Sequence, residues 1–330
     1  MINRPLRSGA PVWFLLLAHW AVTSAGPPPD DEVHGWLQRM SRAVRVLSYD
    51  GVFVYTQNGQ LDVLRVVHYV DDRGETERIT TLTGQPREVI RDKEQVTCIL
   101  PEDRKVSVGI KANRSPFPKL FAERIAKLSG TYDFKMGGTD RVAGRSVRQL
   151  VITPKDGYRY GYQLWLDESS ALPLRSEMTD NEGHVVEQIV FTSIQVLDDV
   201  QAEVAQPGGK ANQVTWQASD TGLKANEHSG WTVGWLPAGF ALVAHKTRRL
   251  SPQGSAVEHL LFSDGLASVS VFIEPSTAES QSVPAQVQEM GAVHAYHRRV
   301  GAFLATVVGE VPGRTVERIG QSVGHSVEQQ

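Results

Sequence analysis

The 330-residue chain has a single cysteine, Cys98, so it cannot form a disulfide within itself and holds no CxxC or Cys/His metal set. Cys98 sits in the apolar, strand-like run Val96-Thr97-Cys98-Ile99-Leu100, where a small buried core residue is the expected role. Nothing cationic beside it would lower its pKa toward a reactive thiolate. An excess of basic charge is also lacking: 34 Lys and Arg stand against 37 Asp and Glu, a formal net charge of −3, with no long basic block. That argues against nucleic acid as a partner, since such binding rests on clustered Lys and Arg facing phosphates.

The catalytic motifs are missing too. Gly144-Arg145-Ser146-Val147-Arg148 lacks the last glycine of a nucleophile elbow. Gly208-Gly209-Lys210 is followed by Ala211, so the hydroxyl that would hold magnesium is absent, and neither G-x-G-x-x-G nor H-E-x-x-H occurs. His294 and His297 are three apart on an expected strand and so point to opposite faces, with His245 and His259 in the same domain. Asp71-Asp72 and Asp198-Asp199 read as turn residues, not as an acid/base pair. No catalytic residue, metal or cofactor is expected, and no repeat of fixed period is visible.

What is present begins with the N-terminus. Arg4 and Arg7 precede an apolar run from Val12 to Trp20, then Thr23-Ser24-Ala25, then Gly26-Pro27-Pro28-Pro29. This is the pattern of a cleaved signal peptide over residues 1–25. The run is about half the length of a membrane span, and no cysteine follows it to accept a lipid.

Asp30 to Leu47 reads as a helix. Acidic residues open its first turn, and Val33, Trp36, Leu37, Met40, Val44 and Leu47 recur at spacings of three and four. The period then drops to two. Strands are expected at Tyr49–Gln57 and Leu61–Val70, joined by the hairpin signal Asn58-Gly59. Further strands are expected at 76–83, 87–91, 96–100 and 105–110, then a helix at Phe117–Leu128. Strands resume at 132–136, 145–153, Tyr158–Asp167, 172–180 and 184–197. Residues 199–229, poor in pattern and rich in Gln, Ala, Gly, Ser and Asn, read as a linker, with Trp216 able to tack it onto a domain. A second unit follows over 230–323, with five strands and a closing helix after Val311-Pro312-Gly313, and a tail over 324–330.

The fold class is α+β: a large curved antiparallel sheet covered by helices (26–198), then a smaller α+β domain. Aromatic residues crowd the expected elements of the first domain, among them Tyr69, Phe134, Tyr158, Tyr160 and Tyr162. Such a sheet can close on a solid core or leave a cavity for an acyl chain, and residue types alone leave both open.

Several stretches carry a resemblance. They are Leu82-Thr83-Gly84-Gln85-Pro86-Arg87, Tyr132-Asp133-Phe134, Val142-Ala143-Gly144-Arg145 and, most specific, the run from Asp156 to Asp167 with Leu172-Pro173-Leu174-Arg175. The second unit adds Gly234-Trp235-Leu236-Pro237-Ala238-Gly239-Phe240 and the run from Phe262 to Glu274. Together they resemble the RseB/MucB family of periplasmic regulators of an envelope-stress sigma factor, over nearly the whole mature chain. The resemblance implies a periplasmic protein whose first domain is a half-open barrel like those of the lipoprotein carriers LolA and LolB. It implies a second domain that binds the periplasmic part of an RseA/MucA-type anti-sigma factor and shields it from the site-one protease. Lipopolysaccharide or another acylated lipid would release that partner, and a homo-oligomer stays open.

On this reading Trp36, Phe53, Tyr55, Trp165, Met178 and Phe191 are the lipid-facing candidates, and Trp235, Pro237, Phe240, Asp264 and Phe272 the partner-facing ones. For each of them ordinary packing in core or turn is the competing role. The alternative function is a periplasmic lipid or lipoprotein carrier, which would need only the first domain.

Overall fold

The computed structural model describes residues 29–72, 74–92, 95–100, 128–197, 212–217, 230–249, 256–277 and 284–325. The expected signal peptide, the strand expected at 105–110 and all but the last residue of the helix expected at Phe117–Leu128 lie outside them.

Helix α1 spans Pro29–Val46. The apolar stripe is its buried face: Val33, Leu37 and Met40 enter one core and Ala43 a second. Two ties fix the helix to the sheet. Arg148 donates to Glu32 at 3.3 Å, and Arg39 Nη2 donates to the Glu168 carbonyl at 2.8 Å. The helix ends where the chain turns β-branched and aromatic.

Strands β1 (Ser48–Gln57) and β2 (Gln60–Asp71) form a hairpin through Asn58 and Gly59, at φ 51° and 71°. Those are the left-handed conformations that Asn-Gly supplies at low cost. The sheet continues through β3 (Gly74–Thr81), β4 (Glu88–Asp92) and β5 (Gln95–Leu100) on one side. On the other stand β6 (Tyr132–Val142), β7 (Arg145–Pro154), β8 (Gly161–Asp167), β9 (Pro173–Thr179) and β10 (Val185–Leu197). With β11 (Asn212–Gln217) they make an antiparallel sheet of eleven described strands, in the order β11-β5-β4-β3-β2-β1-β10-β9-β8-β7-β6. The two runs of strands meet at β1 and β10, where Phe53 faces Phe191 across a bulge. A methyl group on Gly51 would sit 2.7 Å from the Phe191 ring, so glycine is what lets that ring lie flat against β1.

The second domain is a sheet of six described strands in the order β13-β14-β15-β18-β17-β16. These are β13 (Ala241–Arg249), β14 (Ala256–Ser263), β15 (Ser268–Pro275), β16 (Val287–Met290), β17 (Val293–Val300) and β18 (Phe303–Gly309). Helix α2 (Gly313–Gln321) lies on it through Thr315, Val316, Ile319 and Gly320. A methyl on Gly320 would come within 2.3 Å of the Tyr296 ring, so helix and sheet approach at backbone distance there. Strand β12 (Trp231–Val233) pairs with β19 (Val323–His325) and ties the start of the domain to its end.

The α+β class and the two-sheet order agree with the sequence reading, and four details differ. The second sheet has six described strands where the sequence predicts five, β16 being the addition. The linker over 199–229 is not all connection: residues 212–217 are β11, pairing with β5 from Asn212↔Leu100 to Gln217↔Gln95. The Val-Thr-Trp run is strand-forming, and the polar residues around it hid that in a composition-based reading. The tail over 324–330 likewise begins inside β19. Strand β8 starts at Gly161, not at Tyr158, because Asp156 Oδ1 accepts the Tyr158 amide at 3.0 Å and bends the chain. No helix among the described residues is long and apolar enough to cross a membrane.

Leu37 is the anchor of α1, 0% exposed against Leu150, Ile152 and Leu164. Replacing it by Ala is expected to lower the unfolding free energy by about 2–5 kcal/mol in urea titrations. A loss under 1 kcal/mol would mean that α1 is not docked as described.

Candidate functional site

The bend that delays β8 places Arg159 between the two domains. Its side chain is fully buried. Nε and Nη2 donate to the two oxygens of Asp156 at 3.1 and 2.9 Å, which holds the guanidinium in a fixed plane. Its remaining reach goes to the second domain: Nη1 donates to Asp264 Oδ2 at 2.6 Å and Nη2 to the Ala238 carbonyl at 2.7 Å. Asp264 is as deeply buried as its partner, with 1% of its side chain exposed. The Tyr132 hydroxyl donates to the same Oδ2 at 2.9 Å, and Asp264 Oδ1 accepts the Leu266 and Ala267 amides, both at 2.8 Å. Burial, then the Asp264 charge, pushes the Tyr132 hydroxyl well above the usual phenol range, so it stays a donor.

Around this ion pair the seam is closely packed. Leu266 and Ala292, both from the second domain, join the first domain's core under α1. A methyl on Gly291, at φ 73°, would lie 2.2 Å from the Gln57 side chain, and one on Gly239 would lie 2.9 Å from Thr131. Thr315 Oγ1 donates to the Tyr158 carbonyl at 2.8 Å. His294 Nδ1 lies 2.9 Å from the Val311 carbonyl and 3.4 Å from the Tyr160 hydroxyl.

At the rim Tyr158 meets Trp235 edge-on at 4.8 Å, and the exposed Arg318 lies 4.2 Å over Trp235 while donating to the Tyr158 hydroxyl. Both aromatic residues keep part of their surface in solvent.

The partner-facing candidates therefore divide. Asp264 is the anion of the seam. Trp235 is at its rim, and Phe240, 5.3 Å from the Arg159 guanidinium, is buried beneath it. Pro237 is buried in the same loop. Phe272 is apart from them: on β15 it alternates with the core residues Val271 and Ile273 and stacks on His259 at 4.4 Å. The lipid-facing candidates lie in two clusters. Phe53, Trp165 and Phe191 share one, with Tyr55 against it, and Met178 lies in the other with Trp36 packed on it. Phe53 and Phe191 are 5.5 Å apart, Arg175 lies 4.2 Å over Trp165, and Tyr55 donates to Glu187 at 3.0 Å. These side chains pack on one another. A pocket of about 420 Å3 lies elsewhere, against the end of α1, and none of the six lines it.

Sequence reasoning missed Arg159, Asp156 and Tyr132. The one signal was a lone arginine inside the aromatic run Tyr158-Arg159-Tyr160, the kind of charge that burial must pair. Among the described residues no cluster of three or more His, Cys, Asp or Glu could hold a metal ion.

Replacing Arg159 by Met strands the Asp264 charge in the seam and is expected to destabilise the protein by about 3–5 kcal/mol. In a double-mutant cycle with Asp264→Asn the two losses should be far from additive. Additive losses in chemical denaturation would show that the pair does not join the domains.

Models of the MucB/RseB N-terminal domain and C-terminal domain match residues 32–208 and 225–324. The sigma factor AlgU regulatory protein MucB of Pseudomonas aeruginosa is 34% identical over 296 residues, covering 87% of this chain and 89% of its own length. The sigma-E factor regulatory protein RseB of Haemophilus influenzae is 30% identical over 293 residues, covering 87% and 89%. Among solved structures, the P. aeruginosa MucA/MucB complex superposes with a TM-score of 0.70 at 29% identity, covering 90% of this chain and 99% of that one. A crystal structure of MucB with periplasmic MucA gives 0.69 at 30% identity, covering 89% and 99%. With both domains matched in order and the alignments running nearly end to end, this chain belongs to the MucB/RseB family.

Proposed function

We propose that the chain is a periplasmic regulator that binds the periplasmic region of an RseA/MucA-type anti-sigma factor, shields it from site-one proteolysis and releases it when an acylated lipid binds. It acts by binding alone, with no bond made or broken. Two relatives named as sigma-factor regulators and the solved complexes of MucB with MucA support this reading.

One observation of this chain carries it: the second domain is committed to the first through a buried charge pair, with a half-exposed Tyr158–Trp235–Arg318 cluster at the seam. Aromatic residues and arginine at the edge of a packed seam are the composition of binding hot spots. The partner segment would dock along this rim at Trp235, supported from beneath by Pro237, Phe240 and Asp264, and reach Phe272 on the second sheet. A lipid or lipoprotein carrier, the rival, needs neither the second domain nor the seam.

Release would follow from linkage: a lipid that favours the partner-free arrangement weakens the partner by the free energy with which the partner opposes the lipid. For a chain to enter among Trp36, Phe53, Tyr55, Trp165, Met178 and Phe191, those packed side chains must part. Burial of acyl carbon, about 0.8 kcal/mol per methylene, offsets that separation.

The processed protein should bind a fluorescent synthetic peptide of the anti-sigma periplasmic region at micromolar concentration or tighter and protect it from the site-one protease. Trp235→Ala should weaken binding about tenfold, near 1.4 kcal/mol. Lipid A should compete. A peptide that neither binds at micromolar concentration nor gains protection rejects the reading.

A further inference from the structure

We infer that Arg314 and Arg318, one turn apart on α2, determine specificity at the rim of the seam, and that they select an acidic peptide with two carboxylates about 6 Å apart. Both side chains are exposed, while Thr315, Val316, Ile319 and Gly320 hold the helix on its sheet. Both also reach the first domain. Arg318 lies 4.2 Å over the Trp235 ring and 5.5 Å over that of Tyr158, to whose hydroxyl it donates. Arg314 lies against the loop between β7 and β8: a methyl on Gly157 would sit 3.0 Å from its Nη1.

Neither charge serves the helix that carries it. Arg314 is the second residue of α2, in a first turn that holds no acidic residue and where the helix dipole disfavours a cation. Arg314 and Arg318 are like charges at i and i+4, a pairing that destabilises a helix. Among the described residues neither forms an ion pair. The carboxylates around the rim are committed elsewhere. Both oxygens of Asp156 accept from Arg159, and Asp264 is buried against the same guanidinium. Glu317 accepts from Gln321 at 3.1 Å, and Asp180 accepts the Glu182 and His184 amides at 2.8 and 2.9 Å. A helix chosen for stability alone would carry a carboxylate at one of the two positions. Local rules broken with no compensating contact mark a functional surface.

The surroundings select the ligand class. A guanidinium stacked on an indole keeps N–H groups along its edge for a carboxylate. Two positions one helical turn apart match carboxylates at i and i+4 of a bound helix, or at i and i+2 of an extended chain. Tyr158, Trp235 and Leu236, all partly exposed, add apolar surface beside the charges. The side chains of a peptide cover such a surface, and a small free anion does not. Charges at an exposed rim act chiefly on the rate of association, and salt screens them over about 8–10 Å. The inference names the chemistry of the segment held at the rim and rests on the regulator reading only for the source of that segment.

The test uses the full processed chain in stopped-flow fluorescence with two labelled probes. One is the synthetic peptide of the anti-sigma periplasmic region. The other is a helical model peptide carrying Trp and two Glu at i and i+4, compared with its Lys counterpart. The Glu peptide should bind and the Lys peptide should show no saturable binding. Joint replacement Arg314→Gln and Arg318→Gln should slow association about tenfold and flatten its salt dependence. Lys at both positions should restore most of the rate. Arg314→Gln alone should melt no lower than the unaltered protein, since it removes an unfavourable charge from the first turn. Equal rates for the unaltered and doubly altered proteins overturn the inference, as does a Lys peptide that binds as tightly as the Glu peptide. A lowered melting temperature for Arg314→Gln also overturns it, by marking a structural tie. So does tighter capture by phosphatidylglycerol vesicles than by the Glu peptide, which would assign the arginines to a membrane surface. The two probes separate the readings. An anti-sigma peptide that binds both proteins at one rate sinks only the arginine pair. Arginine-dependent binding of the Glu peptide, with no binding of the anti-sigma peptide, sinks only the regulator. Binding of neither peptide sinks both.

Discussion

A guanidinium with no exposure to solvent is tolerable only when its charge and its N–H groups are answered, and Arg159 is answered from two domains at once. Asp156 holds it from within its own loop, and Asp264 and the Ala238 carbonyl hold it from the other side of the seam. The arrangement is asymmetric in energy. Making it gains little over an apolar contact of the same shape, but opening it on either side leaves a buried charge without its partner. Such a pair contributes specificity of docking more than stability. It permits one arrangement of the domains and penalises near misses. The glycines around it follow from the same constraint. Where Gly291 meets Gln57 and Gly239 meets Thr131, a side chain would hold the backbones apart and pull Asp264 out of reach.

The parts of this fold legible in the sequence are those governed by near neighbours. The stripe from Val33 to Met40 is the buried face of α1 because helical spacing alone determines which residues share a face. Asn58-Gly59 is a hairpin turn because its two positive φ angles are a property of those two residues. Arg159 is the opposite case. Its flanking tyrosines have the look of a strand, and what bends the chain is Asp156 accepting a backbone hydrogen, a competition that periodicity does not register. Its partner Asp264 lies 105 residues away, across a stretch that reads as a linker. Strands β11 and β19 were hidden for a related reason. Short strands among polar residues are specified by the edge they complete, β5 and β12, and only slightly by their own composition.

The lipid-facing candidates show what residue type alone leaves open. Phe53, Trp165 and Phe191 are large, apolar and on alternating positions, which suits a cavity wall and a core equally. Here they are packed on one another, with the two phenylalanine rings 5.5 Å apart and a guanidinium 4.2 Å over the indole. Exposed large apolar side chains lie elsewhere, at Val46, Leu61, Leu82, Val185, Leu242, Val243 and Met290 among the described residues.

Helix α1 connects these features. Its middle is locked by Leu37 and Met40 under the same core that receives Leu266 and Ala292 from the second domain. Its last turns border the cationic pocket. A displacement of the C-terminal end would be resisted by Arg39 on the Glu168 carbonyl and by Ala43 in the second core. Coupling between sites requires two arrangements of one element that each ligand favours differently. Among the described elements α1 shares a core with the second domain, through Leu37 and Met40 beside Leu266 and Ala292.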